Sequence, residues 1–408
     1  MFAATTFGWE LSLAPGLSVK NAFLYLLILI YMIETAVLHN RRFELPSVLV
    51  PFGLLVGYCI LSWFTVAFVV QLANYPTLEM GISLKSNRFD HLMLFLVFFY
   101  GLSSTKDVLS LLRTFLWILV LGNVITMIDG FNIPDLGIIQ QREDGRLGGP
   151  MGESNQYGAL LAATLPAMIA LLWDPQTKKL FAFFAVLVSI VALLLSSSRG
   201  AFVGIIVGSV FSIYYLRRYI SMRHVAIGTI VSLATITLMI IVLLSTDLVG
   251  DLIQRFLDTL SGGSYERSSG RTEIWSTALQ QMFEQPFSIF SGFGWDAYDH
   301  INKTRFGTHN VYLNHLFNLG LPGLTLYCLL IYKLLSSCRA AISNATGPAR
   351  NQLIAFIFGF TSLSIVLFFV DLYKAWIWVW AYTGMVMRLV VVFGAASRTE
   401  IGKEKIAV

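Results

Sequence analysis

The residues best suited to chemistry in this chain are arginines and a histidine in short polar turns between long apolar runs. The first turn, Ser196–Gly200, contains Arg199 and divides the apolar stretch 181–216 into two arms of about 15 residues, shorter than the roughly 20 that cross a bilayer. The turn is therefore drawn toward the membrane plane, where a guanidinium needs an anionic partner. No acidic residue occurs between Asp174 and Asp247, so we predict a ligand or a carboxylate of another loop as the partner. The alternative is an arginine that snorkels to lipid headgroups.

A glycine-rich stretch with charges of both signs, residues 142–155, carries the second set of candidates, including Arg142 and Arg146. Glycine permits close approach of the backbone to a ligand, and Ser154 or Asn155 could cap the helix that begins near residue 156. Free N–H groups at that helix start would suit a phosphate. A plain connecting turn explains the same composition just as well.

A long segment, 246–308, carries the third set and has five basic and eight acidic residues, a net charge of −3. Apolar residues recur at helical spacing over 272–285, which predicts an amphipathic helix lying on the membrane. Arg271 stands just before the first turn of this helix, where a cation is electrostatically unfavourable. Either Glu273 compensates for that charge, or a phosphate binds the helix start and Arg271 together.

His309 is the fourth candidate and stands directly before the apolar run that begins after Asn310. A neutral imidazole at the membrane interface can act as a general base, although a lone histidine more often caps a helix or forms an interfacial hydrogen bond. A zinc site of His300, His309 and His315 is disfavoured, because their spacing matches no compact ligand pattern. The chain also lacks an Asp-x-Asp pair that could clamp a divalent cation on a diphosphate. We predict no metal and no cofactor.

Membrane-spanning helices must position these turns, because the composition excludes a soluble globular protein. Of the 408 residues 56% are hydrophobic and 12% are charged, and the mean hydropathy is +0.72; about a quarter of a soluble domain is charged. Continuous apolar runs such as 181–195 and 225–244 exclude an outer-membrane barrel. We predict one all-α polytopic membrane domain over 1–408, with 246–308 as an extracytoplasmic loop inserted between spans. The net charge of +5 is spread over short loops, which gives no surface for nucleic acid.

The apolar runs predict 11 spans, with residues 11–17 as either an interfacial helix or the remnant of a twelfth. The predicted spans are 21–39, 47–72, 90–104, 108–127, 156–173, 180–195, 201–216, 225–245, 310–332, 352–370 and 376–394.

The basic residues of the short loops predict the orientation of the spans. One set of alternate loops holds 14 Lys and Arg and the other set 7, among them Lys85 and Arg88, once the long segment is set aside. The larger set marks the cytoplasm, so the C-terminus is cytoplasmic and the candidate turns face outward. Trp376, Trp378 and Trp380, with Tyr373 and Tyr382, are then expected to form an aromatic belt at the outer interface.

Several short motifs together resemble the bacterial O-antigen ligase and polysaccharide polymerase superfamily. The resemblance covers roughly residues 140 to 394. The motifs are Gly149-Pro150 leading to Ser154-Asn155, Ser198-Arg199-Gly200, Gly270-Arg271 followed by Trp275, Gly292-Phe293-Gly294-Trp295, His309-Asn310-x-Tyr312-Leu313, and Gly320-Leu321-Pro322-Gly323.

The resemblance implies a GT-C-like, metal-independent inverting glycosyltransferase of the bacterial inner membrane that takes an undecaprenyl-diphosphate-linked glycan as donor. Arg199 and Arg271 would bind the diphosphate, and His309 would activate the acceptor hydroxyl. The substrate-binding residues expected beside them are Arg142, Arg146, Asn155, Arg267, Trp295, Arg305 and Asn310.

Two related reactions and two other classes of protein fit the sequence. The leading hypothesis is polymerisation of lipid-linked repeat units of O-antigen, capsule or exopolysaccharide, beside a chain-length regulator or flippase of the same pathway. Ligation of a finished glycan to lipid A-core or another acceptor is a close variant. A lipid-linked-oligosaccharide flippase should instead show internal repeats and polar groups near the bilayer midplane. A scaffold protein without turnover would use the arginines and His309 as loop anchors.

Overall fold

Helices dominate the computed structural model, which describes residues 12–14, 17–34, 45–130, 146–221, 270–301, 306–373 and 375–406. Three predicted binding residues, Arg142, Arg267 and Arg305, lie outside the described residues. The predicted span 225–245 and most of the segment before Gly270 lie outside them as well.

Within the described residues the chain forms fourteen α-helices and one short antiparallel pairing of β1 (Ser12–Ala14) with β2 (Leu17–Ser18). The helices are α1 (Val19–Ile33), α2 (Leu49–Phe64), α3 (Thr77–Leu84), α4 (Asp90–Tyr100), α5 (Thr105–Gly130), α6 (Ser154–Ala170), α7 (Lys179–Ser196), α8 (Arg199–Tyr215), α9 (Arg271–Glu284), α10 (Phe287–Ser291), α11 (Tyr298–Ile301), α12 (Val311–Ile342), α13 (Gly347–Val366) and α14 (Ala375–Ile406).

Seven helices in the described part of the chain are long and apolar enough to cross a membrane. They are Leu49–Val70, Thr105–Ile128, Ser154–Trp173, Lys179–Ser196, Val311–Ile342, Gly347–Val366 and Ala375–Gly394. The prediction of an all-α polytopic membrane protein is confirmed. The predicted spans 21–39 and 201–216 form shorter apolar helices, Asn21–Ile33 and Arg199–Tyr215. A total of 11 or 12 spans stays a prediction.

The predicted span 90–104 is the second half of a longer helical stretch. It begins with α3 at Thr77, passes through a π-helical turn, Lys85–Phe89, and continues as α4 to Tyr100. The assignment of Lys85 and Arg88 to a loop is therefore wrong. Lys85 is accommodated within the helix because its Nζ forms an ion pair with the carboxylate of Asp90 at 2.9 Å. Such π-helical turns are frequent at functional sites.

Helices α6, α13 and α14 lie at the centre of the bundle. In the most apolar part of Ser154–Trp173, 78% of the residues are buried, against 28% in Leu49–Val70. Helix α8 approaches α13 very closely because glycines face it: a Cβ at Gly208 would lie 2.6 Å from Ser362 Cα. Small residues at a helix interface allow such close backbone contact in membranes. The packing holds the start of α8, with Arg199, against the centre of the bundle.

The tryptophans of α14 do not form a lipid-facing belt, so that prediction is wrong. Trp376, Trp378 and Trp380 are each at most 5% exposed. The ring of Trp380 stacks on Phe52, with the centroids 4.4 Å apart. Because residues two apart on a helix point in nearly opposite directions, such a cluster is buried only when neighbours surround the helix. Tyr373, which precedes α14, is exposed.

Helix α9 forms where an amphipathic helix is predicted, but its apolar face packs on the protein and not on the membrane. Ile274, Ala278 and Met282 are buried in a cluster with Leu313 and Phe317 of α12. The expectation that this face lies on the membrane is wrong, because the first turns of α12 provide an apolar surface for it. The exposed phenylalanines of this region lie at the end of α9 and in α10: Phe283, Phe287 and Phe290.

Candidate active site

Two arginines that begin separate helices, Arg199 and Arg271, lie within electrostatic range of each other at the candidate active site. Burial and then the charge of Arg199 lower the pKa of the Arg271 guanidinium, while the carboxylates of Asp371 and Glu153 raise it. The Nε of Arg271 is buried and has no hydrogen-bond partner among the described residues. Four charged groups from four parts of the chain thus lie close together. Two guanidinium groups at short range repel each other, and an anion between them would relieve this repulsion.

The turn before Arg199 is held by the helices around it. Ser197 adopts a left-handed conformation with φ of 49°, which ends α7 and allows α8 to begin at Arg199. Gly158 of α6 leaves room for this turn, because a Cβ there would lie 2.6 Å from Ser198 Cβ. Neither the N-cap of α8 nor Gly270, the N-cap of α9, caps its helix with a side chain. Both arginines therefore stand at helix starts whose N–H groups favour negative charge.

Arg146 and Asn155, two predicted binding residues, contact each other beside this turn. The Nη2 of Arg146 donates a hydrogen bond to Asn155 Oδ1 at 2.8 Å, and the Ser198 hydroxyl lies 3.5 Å from the same oxygen. Arg146 Nε lies 3.5 Å from the carbonyl oxygen of Ser196. The pair thus joins the glycine-rich stretch to the turn that carries Arg199.

Glu153, and not Ser154 or Asn155, caps α6. Its carboxylate accepts hydrogen bonds from the backbone N–H groups of Asn155 at 3.1 Å and Gln156 at 2.8 Å. The Ser154 hydroxyl is buried without a partner among the described residues. The prediction of a Ser or Asn cap is therefore wrong. The carboxylate of Glu153 accepts hydrogen bonds from the N–H groups that were expected to bind a phosphate.

His309 lies at the surface in a strained turn, and the residues on either side of it, Thr308 and Asn310, are buried. Its φ is 47°, in the left-handed region that non-glycine residues seldom occupy. Asn310 caps α12 by accepting a hydrogen bond from Leu313 N at 3.0 Å. Trp275 Nε1 of α9 donates to the carbonyl oxygen of Thr308 at 2.9 Å. The turn therefore presents the imidazole to solvent from a backbone held on both sides.

Asp371, which sequence reasoning missed, is the main anchor of this turn. Its carboxylate accepts the Thr308 hydroxyl at 3.0 and 3.2 Å and the backbone N–H groups of His309 and Asn310. Burial raises the pKa of Asp371 to about 6, against the opposing effect of these hydrogen bonds. One signal was available, because Asp371 is the sole acidic residue between positions 300 and 399.

Trp295, another predicted binding residue, contacts a different group of residues. It is 5% exposed, its carbonyl oxygen accepts the Tyr75 hydroxyl at 2.6 Å, and the Arg88 guanidinium lies 5.0 Å from its ring. Both ring nitrogens of His315 have protein partners, Val311 O at 2.7 Å and Arg88 Nη2 at 3.1 Å. Among the described residues no group of three His, Cys, Asp or Glu could hold a metal ion.

Comparison with known proteins agrees with the resemblance noted in the sequence. Residues 184–328 match a family model described as O-antigen ligase, and this segment includes Arg199, Arg271 and His309. Asp371 lies outside it. A search of curated proteins gave no match. The matched segment contains both helix-starting arginines and the histidine turn, and the match supports the resemblance to the O-antigen ligase and polysaccharide polymerase superfamily.

Proposed function

We propose that this multi-pass membrane protein is a glycosyltransferase that joins lipid-linked repeat units into a longer polysaccharide. The donor in this proposal is an undecaprenyl-diphosphate-linked glycan, and the product is an O-antigen, capsule or exopolysaccharide chain. The match to the O-antigen ligase family model supports a membrane glycan ligase or polymerase in general. The observation that carries the proposal further is that Arg199 and Arg271 stand at two helix starts within electrostatic range of each other.

The two arginines suit the diphosphate of the donor. A guanidinium can hold phosphate oxygens with two parallel hydrogen bonds, and the helix starts add N–H groups that favour the same charge. When the bond from the anomeric carbon to the diphosphate breaks, negative charge develops on the leaving oxygen. Two fixed guanidinium groups stabilise that charge in the transition state. The leaving group needs no proton from the protein.

His309 is assigned the role of general base in this proposal. It takes the proton of the acceptor hydroxyl while that oxygen attacks the anomeric carbon from the side opposite the diphosphate. One C–O bond forms and one breaks, so the configuration at that carbon inverts. The hydrogen bonds of Asp371 hold the His309 turn near Arg271, which suits this single displacement.

The proposal assigns charge neutralisation to arginines, and it therefore requires neither a divalent metal nor a cofactor. Arg146, Asn155 and Asn310 are proposed to support donor binding from around the two arginines. Arg142, Arg267, Trp295 and Arg305 stay proposed contacts of the glycan. A chain-length regulator or a flippase of the same pathway is the proposed protein partner.

We propose the following topology: one membrane domain over 1–408 in the bacterial inner membrane, the segment 246–308 and the active site outside the cytoplasm, and a cytoplasmic C-terminus. Reporter fusions test it. A C-terminal fluorescent protein that folds only in the cytoplasm should be bright, and alkaline phosphatase inserted after residue 260 should be active. The opposite pattern would place the site on the cytoplasmic face.

Ligation is the second candidate, because the matching family model is described as O-antigen ligase. The chemistry at the donor would be the same, and the acceptor would be lipid A-core or another glycan carrier instead of a second lipid-linked unit. The choice of acceptor therefore separates the two functions.

Transfer by purified protein in lipid vesicles tests both functions. Undecaprenyl-diphosphate oligosaccharides are added with and without EDTA, and glycan lengths are read on a gel. A ladder of longer lipid-linked glycans that EDTA does not change supports the polymerase. Transfer that occurs only after lipid A-core is added supports the ligase. Movement of the lipid across the bilayer without transfer would overturn both functions in favour of a flippase.

Substitutions connect the activity to the site. Arg199→Ala, Arg271→Ala and His309→Ala should each reduce transfer to a trace while the protein still inserts and elutes as a single species. Arg217→Ala is the matched control, because Arg217 is an exposed arginine that lies over the Tyr214 ring at 4.7 Å. Wild-type activity in the three site variants would show that these residues are loop anchors.

A further inference from the structure

Arg88 is a partly buried cation that contacts a tryptophan ring and a histidine. It lies in the π-helical turn between α3 and α4, and its Nη1 donates to the carbonyl oxygen of Asn87 at 3.2 Å. Its guanidinium lies 5.0 Å from the ring centroid of Trp295. Its Nη2 lies 3.1 Å from Nε2 of His315. In the part of the chain that the structure describes, Arg88 forms no ion pair with a carboxylate, and its side-chain partners are Trp295, His315 and the thiol of Cys59.

The contact with Arg88 determines which nitrogen of His315 carries the proton. A guanidinium can only donate hydrogen bonds, so Nε2 of His315 must be the acceptor. The proton therefore lies on Nδ1, which donates to the carbonyl oxygen of Val311 at 2.7 Å. The His315 ring also stacks on Tyr327, with the centroids 4.3 Å apart. Packing and hydrogen bonds thus hold the ring in one orientation.

Val311 connects this pair to the site, because it is the first residue of α12 and lies two residues after His309. Its backbone N–H donates to the carbonyl oxygen of Leu367 at 2.9 Å, and its carbonyl oxygen accepts the His315 proton. The N–H of Val311 is therefore held from outside α12, and its carbonyl oxygen is held from within α12 by the His315 ring that Arg88 contacts. A shift of Val311 would move the strained turn that carries the proposed general base.

We propose that Arg88 and His315 are positioning residues that hold the His309 turn in its reactive geometry. The inference depends on the proposed function, in which His309 accepts a proton from the acceptor hydroxyl. Arg88 lies outside the segment that matches the family model. The first half of the chain would thus contribute to the reaction through a contact between residues 227 apart.

Steady-state kinetics distinguish positioning from general structural support. Arg88→Met and His315→Phe should lower kcat by about 10- to 100-fold, the loss expected when a reacting group is misplaced by about 1 Å. The KM for the lipid-linked donor should stay within about twofold, because Arg199 and Arg271 still bind the diphosphate. Arg88→Lys should restore little, since an ammonium lacks the planar donor fork.

A double substitution tests whether the effect passes through His309. In a His309→Ala background, Arg88→Met should not reduce the residual transfer further, because no base remains to be positioned. If the double variant instead loses activity by the product of the losses of the two single variants, the proposal is overturned. The matched control is Arg388→Met, which removes a guanidinium that donates to Leu102 O at 2.7 Å and lies 5.7 Å from the Phe99 ring. This control should keep wild-type kcat.

Hydrogen exchange gives a readout that does not require activity. Amides of residues 309–316 should exchange faster in Arg88→Met and His315→Phe than in the wild type, and amides of 197–203 should not change. Unchanged exchange over 309–316 would overturn the inference even if the protein proves to be a glycosyltransferase. Faster exchange over 309–316 in the two variants, together with a wild type that transfers no glycan, would count against the proposed function alone. If Arg88→Met fails to insert, His315→Phe provides the same test.

Discussion

The Asp371 carboxylate and the Thr308 hydroxyl are hydrogen-bonded at 3.0 and 3.2 Å, although 63 residues separate them in the chain. The bond joins the segment between α13 and α14 to the turn that carries His309. Asp371 also acts on the other half of the site, because its negative charge raises the pKa of Arg271 against burial and the charge of Arg199. One buried carboxylate thus connects the proposed base with the proposed diphosphate site.

Asp371→Asn should slow transfer more at neutral pH than in acid. The pKa of Asp371 is raised to about 6 by burial, so the group is ionised at pH 7.5 and about nine-tenths protonated at pH 5. Ionised Asp371 accepts three hydrogen bonds that an amide replaces poorly, which predicts a loss of at least about tenfold at pH 7.5. At pH 5 the wild type has already lost the charge, so the ratio of the two rates should fall toward one.

The measurement is the ratio of wild-type to variant rates between pH 5 and 8, in which groups that titrate equally in both proteins cancel. Asp174→Asn is the control, because Asp174 is also buried and its Oδ2 accepts the Thr177 hydroxyl at 3.3 Å, away from the site. A ratio independent of pH would mean that the charge of Asp371 does not matter for transfer.

Trp275→Phe should lower transfer on the order of fivefold, the effect of one lost hydrogen bond worth about 1 kcal/mol. The bond is that from Trp275 Nε1 to the Thr308 carbonyl oxygen at 2.9 Å, which ties α9 to the His309 turn. Trp63→Phe removes a similar bond to Thr77 O at 3.1 Å and should have no effect on kcat. Equal losses in both variants, read from initial rates, would contradict a specific role for Trp275.

Arg199→Lys and Arg271→Lys should both be inactive in transfer, as the alanine variants are expected to be. Lysine keeps the charge but loses the fork of donors that holds two phosphate oxygens at once. Donor binding, measured with a fluorescent undecaprenyl-diphosphate analogue, should weaken in both variants. Arg217→Lys should bind and transfer as the wild type does. Full activity in Arg199→Lys would indicate a role in long-range electrostatics alone.

Gly208→Ala should destabilise the protein by about 1–3 kcal/mol, the usual cost of overpacking. A Cβ at Gly208 would lie 2.6 Å from Ser362 Cα and would push α8 away from α13. Gly57→Ala is the control, since nothing lies within 4 Å of a Cβ at that position. The apparent Tm in detergent should fall for the first variant and stay unchanged or rise for the second. An unchanged Tm for Gly208→Ala would mean that the two helices separate without cost.

The candidate residues Arg199, Arg271 and His309 were recognisable in the sequence because each interrupts or borders an apolar run. Asp371 was harder to recognise, since a single carboxylate between two spans resembles an ordinary loop residue. Arg88 was counted with Lys85 among the loop residues, whereas the structure places both in a π-helical turn directly before Asp90. The structure shows that these groups have partners, including an ion pair of Lys85 with Asp90 at 2.9 Å.

Hydropathy predicted the helical membrane architecture but not which helices are central. The tryptophans of α14 illustrate this limit, because an indole suits a lipid interface and a packed core equally well. The apolar stripe of α9 is a second case: its periodicity predicts a buried face but does not specify whether lipid or protein covers it. The structure places Ile274 and Met282 against Phe317, so protein covers that face.

Composition and local pattern were sufficient for the helical membrane architecture and for the polar turns, because backbone groups in a bilayer must be paired within helices. Which of those turns lie close together in space depended on the tertiary structure. Arg88 and His315 lie 227 residues apart, and Thr308 and Asp371 lie 63 apart. Contacts of this kind follow from how closely and at what angle helices pack, as at Gly208, and hydropathy does not encode that geometry.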